Sequence, residues 1–513
     1  MVVSAFVQSV RSLLVKFDIA APDIRVQGLT LDSRQVNTKL IFVAIKGHEK
    51  DGRDFIPQAI SLGARVVFSH TEEFASHGNI EMRGNTVIVH MYDLPAMLSS
   101  IAAAFYDYPA SKMTTVAVTG TNGKTSTVQM VTQLKALLGS RCGSIGTLGT
   151  GIFDGKKTQW VADALNTTPD AISMQYILAE FAQSQVVHVA FEASSHALVQ
   201  GRLSQVKTDV AVFTNLTRDH LDYHGTMEAY GEAKRKLLIQ PGLKAVVLNA
   251  NDEESLNWNR NAPSSLVRVW TGLDLESSFY QHHKAPQDRH CFATNVTYHA
   301  TGCQFDLVTS WGEYPVSLPL MGEFSIRNTL SAIAVLLAEN EHLEDIVPVL
   351  PKLSPVAGRM EVFPMHNKAN VVVDYAHTPD ALQTLLTSVR KHTNHKIWCI
   401  FGCGGDRDQG KRPLMGQAAE RGADEIVITT DNSRSEDPEQ IANHIKSGLQ
   451  RPEQAHFEAD RKQAIRYCLA RADESDLIVV AGKGHEDYQI IGNQRKNYNE
   501  RKFVATLQEE YSK

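Results

Sequence analysis

Short apolar runs recur along this chain, and polar turns and helical stretches separate them. In the first part of the chain, the runs cover residues 40–44, 65–68 and 86–89. Runs of this length between turn residues are typical of buried strands, while apolar residues at helical spacing indicate helices. The alternation predicts a small α/β domain that ends near residue 111, where the helical pattern stops at Tyr108-Pro109.

A second α/β segment follows. Its apolar runs predict strands at residues 116–119, 186–191, 210–213 and 245–248. A more polar, β-rich region near 265–320 comes next, and a helix is predicted at 326–337. Pro351, Pro355 and Gly358 then mark a linker.

Beyond the linker, the pattern predicts a third segment. Its strands are predicted at residues 371–373, 397–401, 425–428 and 477–481, and helical stretches separate them. Such alternation favours a doubly wound, Rossmann-like sheet. We therefore predict an α/β protein of three domains, with boundaries at 1–111, 112–354 and 355–513.

The N-terminus carries Val7, Val10, Leu14 and Phe17 at helical spacing, with charged residues between them. This pattern predicts an amphipathic helix rather than a signal peptide. No apolar run approaches the ~20 residues of a membrane-spanning helix, so membrane insertion is not expected.

Composition narrows the range of partners. The chain has 513 residues, with 51 basic and 57 acidic side chains and a formal net charge of -6, and it lacks a basic stripe. A nucleic-acid partner is therefore not expected. The 6 cysteines are scattered without paired CxxC spacing, which argues against a zinc site and against a disulfide framework. A reducing, cytoplasmic setting fits this pattern.

The sequence GTNGKTS at residues 120–126 follows the first strand of the central segment. Glycines let the backbone approach phosphates, Lys124 has the reach for the terminal phosphates of ATP, and the Thr125 hydroxyl suits Mg²⁺. A helix predicted from Thr127 onward adds an N-terminus that favours anions. The loop departs from the GxxxxGK[ST] pattern because Val118 stands where a glycine is usual. A glycine-rich turn without nucleotide is the alternative.

Two later strands end in ionisable residues. Glu192, in EASSHAL at 192–198, offers a carboxylate for Mg²⁺, and the alternative is a solvated glutamate beside a helix-capping serine pair. His220, in DHLDYH at 219–224, precedes Lys234 by a spacing that suits a loop and a helix meeting at one site. Protonated lysine has no acceptor for a metal ion, so a metal role for Lys234 requires special chemistry.

Several motifs occur together and in a fixed order. They are Asp32-Ser33-Arg34, GTNGKTS, NTTP at 166–169, EASSHAL, DHLDYH, Ala233-Lys234 and GKGHEDYQ at 482–489. In this combination the chain resembles the Mur ligases over essentially its whole length, and within that family the MurE ligases. The resemblance implies a cytoplasmic enzyme of peptidoglycan synthesis that uses ATP to join an amino acid to UDP-N-acetylmuramoyl-L-alanyl-D-glutamate (UDP-MurNAc-L-Ala-D-Glu).

The resemblance also implies a role for each domain. The N-terminal α/β domain binds the UDP-sugar, the central P-loop-type ATPase domain has a mainly parallel sheet, and the C-terminal Rossmann-like domain binds the amino acid. We expect a monomer.

In the Mur ligases, the lysine that matches Lys234 is carbamylated by CO₂, and the oxygens of this N6-carboxylysine hold a second Mg²⁺. The resemblance implies that His220 shares this ion, and that Glu192 and Thr125 bind Mg²⁺ near the γ-phosphate. It gives a catalytic set of Lys124, Glu192, His220 and Lys234. The implied reaction phosphorylates the D-Glu side-chain carboxylate, and the amine of the incoming amino acid then attacks the acyl phosphate.

The resemblance further assigns the contacts of ATP. The implied loop residues are Gly120, Thr121, Asn122, Gly123, Lys124, Thr125 and Ser126. Asn328, Arg359 and Asp374 match the positions that bind the ribose and base, which we expect between domains.

The UDP-MurNAc-dipeptide has two implied groups of residues. The uridine site matches Leu31, Ser33, His48, Glu49 and Lys50. The muramoyl peptide site matches Asn166, Thr167, Thr168, Ser194, Gln200 and Arg202. Hydroxyls, amides and a guanidinium are suitable donors to a pyrophosphate and to carboxylates. From the residues alone, Thr167 and Thr168 are equally consistent with a helix N-cap before Pro169.

The choice of amino acid depends on Asp431-Asn432-Ser433-Arg434, where the diaminopimelate-adding members of the family carry DNPR. Meso-2,6-diaminopimelate differs from lysine by a second carboxylate, which a guanidinium binds in a bidentate manner. Arg434 therefore favours diaminopimelate, although Ser433 in place of proline loosens the loop. Arg407, Gly482 and Glu486 complete the implied site, with Glu486 facing the ammonium group.

Three alternatives stay open. In the first, the same ligase adds L-lysine or another diamino acid. In the second, the chain is a P-loop kinase or ATPase, and in the third it is a nucleotide-binding module without turnover. Amino-acid-dependent phosphate release separates them. The chain also departs from the family at Asn499-Glu500-Arg501, where Asp-Arg is more frequent, and the sequence indicates no consequence.

Overall fold

The computed structural model describes residues 6–47, 50–155, 158–162 and 166–512, without the side chains of residues 278 and 279. The chain divides into two units. The first unit comprises Met1–Gly272, Glu276–Cys291 and Ser331–His342, and the second comprises Leu273–Leu275, Phe292–Leu330 and Leu343–Lys513. Each of the three predicted segments contains a sheet of its own. The domain boundaries at 1–111, 112–354 and 355–513 stay a prediction.

The N-terminal segment folds into a mainly parallel sheet with helices on both faces. Its strands are β1 (Gln8–Ser9), β2 (Arg25–Val26), β3 (Gly28–Thr30), β4 (Leu40–Ala44), β5 (Val66–Thr71), β6 (Ile80–Arg83) and β7 (Thr86–Tyr92). Its helices are α1 (Val10–Leu14), α2 (Ile56–Ser61) and α3 (Leu94–Phe105). The strand order is β3-β4-β5-β7-β6, with β6 antiparallel to β7. Ile41 and Val43 pack with α1 and α3, whereas Phe42 and Ala44 pack with α2, so both faces of β4 are covered.

The predicted N-terminal amphipathic helix is wrong in its length. Helix α1 covers Val10–Leu14, and a 3-10 turn follows at Val15–Phe17. Before the helix, Gln8 and Ser9 pair with Val26 and Arg25 as a short antiparallel strand. Val10 and Leu14 are buried as the pattern predicts, but Val7 is exposed because it precedes this strand.

The central segment contains a mixed sheet. Its strands in the first unit are β8 (Thr114–Thr119), β9 (Cys142–Gly146), β10 (Gly149–Phe153), β11 (Thr158–Ala162), β12 (His188–Glu192), β13 (Val210–Phe213), β14 (Ala245–Asn249) and β15 (Val267–Gly272). Their order is β11-β10-β9-β12-β8-β13-β14-β15, and all neighbours from β9 to β15 are parallel. Strands β10 and β11 extend it as antiparallel hairpins.

The helices of this segment follow its strands. They are α4 (Lys124–Leu137), α5 (Ala171–Gln183), α6 (Ser195–Val199), α7 (Leu221–His224), α8 (Met227–Arg235), α9 (Glu254–Asn261) and α10 (Ser278–His283). Helix α4 begins at Lys124, three residues before the predicted start at Thr127. Ala171 and Ile172 of α5 join the core that also covers β4 and α3, so within the first unit the two sheets share a packed boundary.

The polar, β-rich region that follows contains β16 (Arg289–His299), β17 (Gly302–Thr309) and β18 (Gly312–Leu318). Strands β17 and β18 form an antiparallel hairpin. Helices α11 (Glu323–Ala338) and α12 (Leu343–Ile346) come next, and α11 includes the helix predicted at 326–337.

The C-terminal segment is doubly wound, as predicted. Its strands are β19 (Glu361–Phe363), β20 (Asn370–Asp374), β21 (Ile397–Phe401), β22 (Glu425–Thr429), β23 (His456–Glu458), β24 (Leu477–Ala481), β25 (Tyr488–Ile491) and β26 (Gln494–Asn497). Its helices are α13 (Pro379–Arg390), α14 (Lys411–Gly422), α15 (Pro438–Lys446), α16 (Arg461–Arg471) and α17 (Glu500–Tyr511). The main sheet has the order β19-β20-β24-β21-β22-β23, with β19 alone antiparallel to its neighbour.

Alternation along β24 shows why this sheet needs helices on both faces. Val479 and Ala481 lie in the core formed with α13, α14 and α15, whereas Ile478 and Val480 lie in the core formed with α16 and α17. A strand buried on both faces reads as one continuous apolar run. The carboxyl ends of β20, β24, β21 and β22 are neighbours, and this edge of an open α/β sheet is where ligands usually bind.

Candidate active site

The loop between β8 and α4 has a backbone that glycine makes possible. Gly120 has a φ of +145°, and a Cβ at this position would lie 1.8 Å from Thr214 Oγ1. Gly123 caps α4 with a φ of 85°. The backbone of the loop is held by the next strand's loop, since Thr121 N donates to Asn215 O at 2.9 Å and Asn122 N donates to Asn215 Oδ1 at 2.9 Å. The loop is therefore a rigid turn at a helix N-terminus, an arrangement suited to phosphate.

Two lysines converge on the carbonyl of Gly120. Lys124 Nζ donates to Gly120 O and to Thr121 O, each at 2.9 Å. Lys234, from α8, donates to Gly120 O at 2.8 Å and is 1% exposed. Burial, and secondarily the charge of Lys124, lowers the pKa of Lys234 to about 6. The buried surroundings therefore favour the neutral amine form of Lys234 beside this loop.

Glu192 ends β12 and is 1% exposed. Its Oε1 accepts from Thr125 Oγ1 at 2.9 Å and from Thr147 N at 2.7 Å. Burial raises the pKa of this carboxyl. The solvated glutamate considered as an alternative is therefore wrong, although Ser194 does cap α6 by accepting from Ala197 N. Glu192 instead brings a buried carboxylate to the start of α4.

Thr147 is a residue that the sequence reasoning missed. Besides its amide contact with Glu192, its hydroxyl donates to Thr167 Oγ1 at 3.2 Å. It follows Gly146, where a Cβ would lie 2.3 Å from Glu192 Oε1. The only available signal was a Gly-Thr pair at the turn between two apolar runs, which is common at turns without any site.

Thr167 and Thr168 do not cap helix α5, so the N-cap alternative is wrong for both. The cap is Asp170, whose carboxylate accepts from Ile172 N and Ser173 N. Thr168 Oγ1 instead donates to Glu192 O at 2.7 Å and accepts from Ser194 N at 3.0 Å.

Arg202 forms hydrogen bonds to both Thr168 and Gln200. Its Nη1 donates to Thr168 O at 2.8 Å, and its Nε and Nη2 donate to Gln200 Oε1 at 2.8 and 2.6 Å. Burial lowers the pKa of Arg202. The predicted peptide-binding residues Thr167, Thr168, Ser194, Gln200 and Arg202 thus lie around Glu192, and Asn166 is exposed at the start of the same turn.

His220 lies in an aromatic and histidine cluster next to Lys234. It precedes α7 with a φ of 51°, and its ring lies 5.0 Å from that of His196 and 6.0 Å from that of Tyr230. Lys234 Nζ lies 4.2 Å from the centre of the Tyr230 ring. Tyr230 therefore links His220 to Lys234. The sequence reasoning did not identify Tyr230 or His196.

The predicted uridine residues lie in the N-terminal segment. Ser33 is buried, and its hydroxyl donates to Gln58 Oε1 at 3.0 Å. Leu31 packs against the core of that segment, and Lys50 O accepts from Gly47 N at 2.9 Å. His48 and Glu49 lie outside the described residues. These hydrogen bonds of Ser33 and Lys50 are made to other residues of the N-terminal segment.

In the second unit, the loops after β22, β24 and β21 meet at the carboxyl edge of the sheet. Asn432 Nδ2 lies 3.5 Å from Glu486 Oε2. Arg434 has a φ of 49°, and its Nη1 donates to Gly405 O at 2.8 Å. Asp431 lies close to Gly482, where a Cβ would be 2.9 Å from Asp431 Oδ2. The structure thus brings the predicted amino-acid residues of two loops together.

Ser433 and Arg407 differ in their surroundings. Ser433 is 1% exposed, and among the described atoms its Oγ has no hydrogen-bond partner. Arg407 is exposed in the loop after β21, next to Asp406, whose carboxylate accepts from Ser435 Oγ at 2.6 Å.

The predicted ribose and base residues belong to the second unit. Asp374 ends β20, and its carboxylate accepts from Met360 N at 2.7 Å and from Ala376 N at 2.8 Å, while burial raises its pKa. Arg359 stacks its guanidinium 4.9 Å from the centre of the Tyr375 ring. Asn328 is buried on α11.

Lys483 and Glu500 are two further residues beneath the amino-acid loops. Lys483 is 0% exposed and donates to Asn432 Oδ1 and Glu486 Oε2 at 2.9 and 2.8 Å. Glu500, where the chain departs from the family, forms a buried ion pair with Arg461 at 2.7 Å. Arg461 Nη2 also donates to Ala481 O at 3.0 Å, directly before Gly482. The sequence reasoning missed Lys483 and Arg461, because Lys483 also bonds Asn432 and Arg461 bonds Glu500, and both of these partners are distant along the chain.

In the described ranges, no three His, Cys, Asp or Glu side chains cluster as a metal site. All 6 cysteines are buried, and none of them forms a disulfide bond in the described part of the chain. No helix in the described part of the chain is both long and apolar enough to cross a membrane.

Comparisons with known proteins cover almost the whole chain. The model of the Mur ligase family catalytic domain matches residues 25–106. The Mur ligase middle domain matches 118–336, and the Mur ligase glutamate ligase domain matches 358–484. A UDP-N-acetylmuramoyl-L-alanyl-D-glutamate--2,6-diaminopimelate ligase from Haemophilus influenzae (strain Rd) is 41% identical over 482 residues, which are 94% of this chain and 96% of the relative.

Solved structures are similar along the full length. A UDP-N-acetylmuramoyl-L-alanyl-D-glutamate--2,6-diaminopimelate ligase superposes with a TM-score of 0.72 at 33% identity, covering 99% of this chain and 100% of the other. A MurF ligase from Acinetobacter baumannii superposes with a TM-score of 0.65 at 18% identity, again over 99% and 100%, which shows a shared fold.

Proposed function

This chain belongs to the Mur ligase family, and we propose that it is the ATP-dependent ligase that adds meso-2,6-diaminopimelate to UDP-MurNAc-L-Ala-D-Glu. A relative that carries this name is 41% identical over 94% of this chain, and this similarity supports the reaction. The observation in the structure that carries the proposal is the cluster of Asn432, Arg434, Lys483 and Glu486 at the carboxyl edge of the second unit's sheet.

The proposed reaction has two steps, and ATP drives it. An oxygen of the D-Glu side-chain carboxylate attacks the γ-phosphorus of ATP, the bond to the β-phosphate oxygen breaks, and ADP leaves. The neutral amine of diaminopimelate then attacks the carbonyl carbon of the acyl phosphate. The tetrahedral intermediate expels inorganic phosphate, and the amine loses a proton as the amide forms.

The phosphate loop supports the first step. Residues 120–126 surround the N-terminus of α4, and the positive end of the helix dipole favours the phosphates of ATP. In this structure, Lys124 donates to the carbonyls of Gly120 and Thr121. When ATP binds, Lys124 would donate to phosphate oxygens instead of these carbonyls. Its positive charge then counters the charge that develops on the transferred phosphoryl group.

The residues around Glu192 fit a Mg²⁺ ion. Thr125 Oγ1 and Glu192 Oε1 are hard oxygen donors 2.9 Å apart, beside the phosphate loop. Since no preformed cluster of three acidic, cysteine or histidine side chains is found in the described residues, the remaining ligands would come from phosphate and water. When bound, Mg²⁺ supplies charge neutralisation for phosphoryl transfer.

The surroundings of Lys234 fit a carbamate. The amine is buried and neutral, so its lone pair can attack the carbon of CO₂, and loss of a proton leaves an N6-carboxylysine. The carbamate oxygens and His220 would hold a second Mg²⁺. Tyr230, 4.2 Å below Nζ, restrains the side chain.

Recognition of the amino acid is the part of the proposal that distinguishes diaminopimelate from lysine. The guanidinium of Arg434 pairs with the carboxylate that lysine lacks. Glu486 faces an ammonium group, and Asp431, Asn432, Ser433, Gly482 and Arg407 complete the site. Asn328, Arg359 and Asp374 stay proposed contacts of ATP, and Leu31, Ser33, His48, Glu49 and Lys50 stay proposed contacts of the UDP-sugar. A cytoplasmic location and a monomeric state belong to the same proposal.

The test is phosphate release by the purified protein with ATP, Mg²⁺ and UDP-MurNAc-L-Ala-D-Glu. We expect release with meso-diaminopimelate, and little with L-lysine or without an amino acid. Preference for L-lysine would keep the ligase and overturn the role of Arg434. Release that does not depend on an amino acid would replace the proposal with an ATPase.

A further inference from the structure

Lys483 has an unusual set of partners for a buried lysine. Its side chain is 0% exposed, and Nζ donates to Asn432 Oδ1 at 2.9 Å and to Glu486 Oε2 at 2.8 Å. Asp431 Oδ1 lies 3.7 Å away. All three partners belong to the proposed amino-acid site. A buried charge is costly unless paired, so the site itself stabilises this lysine and the lysine in turn restrains the site.

The first restraint concerns the amide of Asn432. Its Oδ1 accepts from Lys483 Nζ and from Ile490 N, both at 2.9 Å. Ammonium and backbone N–H groups only donate, so the atom between them must be the amide oxygen. The Nδ2 group therefore faces the other way, towards Glu486 at 3.5 Å. With one Nδ2 hydrogen directed at Glu486, the second is left to donate to a carboxylate of a ligand.

The second restraint concerns Glu486. Among the described contacts, those with Lys483 and Asn432 both use Oε2. Oε1 is thereby left to accept from an ammonium group. Lys483 also offsets one of the two negative charges of Asp431 and Glu486, so the three side chains together carry a charge of about -1, which complements one ammonium group.

We propose that Lys483 is a positioning residue for the amino-acid substrate, which fixes Asn432 as a carboxylate donor and Glu486 as an ammonium acceptor. This inference rests on the proposed function. The ligand it selects is an amino acid with a carboxylate and an ammonium group at the spacing of Asn432 and Glu486. Lys483 acts through these two side chains and not by contact with the substrate.

The test is steady-state kinetics of Lys483→Met, which retains length and loses the charge and the donors. We expect KM for meso-diaminopimelate to rise by roughly 100-fold, because a small misplacement of binding groups has effects of this size. KM for ATP and for the UDP-sugar should stay near the wild-type values. An unchanged KM for diaminopimelate overturns the proposal.

Lys135→Met is the matched control. Lys135 is also buried and paired with carboxylates, at 2.7 Å from both Glu339 and Glu341, but its partners belong to none of the proposed substrate sites. This variant should lower thermal stability and leave KM for diaminopimelate at the wild-type value. An equal rise of KM in both variants would show a general structural effect and would overturn the specific role of Lys483.

Asn432→Asp tests the proposed orientation of the Asn432 amide without a change in the size of this buried side chain. The carboxylate keeps an acceptor for Lys483 and Ile490, so the fold should persist, but an oxygen replaces the outward Nδ2. We expect a rise in KM for diaminopimelate of the same order, and a wild-type KM would show that Nδ2 does not face the substrate. If the wild-type protein shows no diaminopimelate-dependent phosphate release, the proposed function fails; normal wild-type turnover with unaffected variants refutes Lys483 alone.

Discussion

Glu500→Gln should destabilise the second unit strongly, although the change alters few atoms. Glu500 and Arg461 are both 0% exposed. Glu500 Oε1 accepts from Arg461 Nε at 2.7 Å and from Tyr498 OH at 2.9 Å, and Oε2 accepts from Arg461 Nη2 at 3.1 Å. A neutral amide leaves the buried guanidinium without its counter-charge.

The magnitude follows from this burial. Removing one partner of a buried ion pair costs about 3 to 5 kcal/mol, because the remaining charge is neither solvated nor neutralised. Arg461 also donates to Ala481 O at the end of β24. We therefore expect the loss to be visible at the strand that leads into Gly482 and Lys483.

The assay combines urea unfolding with amide hydrogen exchange of the peptide that covers Leu477–Ala481. The matched control is Glu510→Gln on the same helix, α17. Glu510 pairs with Arg466, but these side chains are 46% and 40% exposed, and such surface pairs contribute under about 1 kcal/mol. Equal changes in the free energy of unfolding for the two variants would refute the argument from burial. Replacing both Arg461 and Glu500 by leucine should recover much of the loss.

Three further predictions concern the site and its surroundings. Arg434→Ala should lower kcat/KM for meso-diaminopimelate by about 2 to 4 kcal/mol and leave the low activity with L-lysine unchanged, and wild-type kinetics would contradict the assignment. Lys234→Ala should reduce kcat by roughly 1,000-fold or more with the fold intact, because it removes the buried amine that is proposed to carry the carbamate and whose pKa burial lowers to about 6. Short carboxylic acids should restore part of the activity, and full activity without them would exclude a carbamate. The Arg412 guanidinium lowers the pKa of Glu436 from 4.5 to about 2, so this pair stabilises the fold above pH 4.5 and loses its effect as the pH falls towards 2. Urea unfolding of Glu436→Gln and wild type should differ at about pH 6 and converge at low pH, and a constant difference would disprove the linkage.

The strands that sequence reasoning predicted best are those buried on both faces. Residues 210–213, 397–401 and 477–481 coincide with β13, β21 and β24. Each is a central parallel strand, and its continuous apolar run needs no knowledge of neighbours. The N-terminal helix was predicted too long because Gln8 and Ser9 pair with a strand at Arg25–Val26, and periodicity within the helix carries no information about that partner.

The residues of the candidate site likewise divide into those that the local sequence indicates and those whose partners depend on the fold. Gly120, Gly123 and Lys124 lie within a few residues of one another, and their roles follow from local backbone geometry, so the sequence alone indicates a phosphate loop. Thr168 is a counterexample, because local spacing is equally consistent with an N-cap, and its actual partner is the carbonyl of Glu192.

The sequence by itself determined the three α/β segments, the glycine-rich loop, the family and the residues that match its motifs, because these features are encoded in short stretches of the chain. Only the tertiary structure decided which side chains are desolvated and which distant groups meet. Burial lowers the pKa of Lys234, packing places Thr147 against Glu192, and the meeting of two loops sets Lys483 between Asn432 and Glu486. Desolvation and hydrogen bonding between residues far apart in sequence depend on the folded arrangement, and no local pattern specifies them.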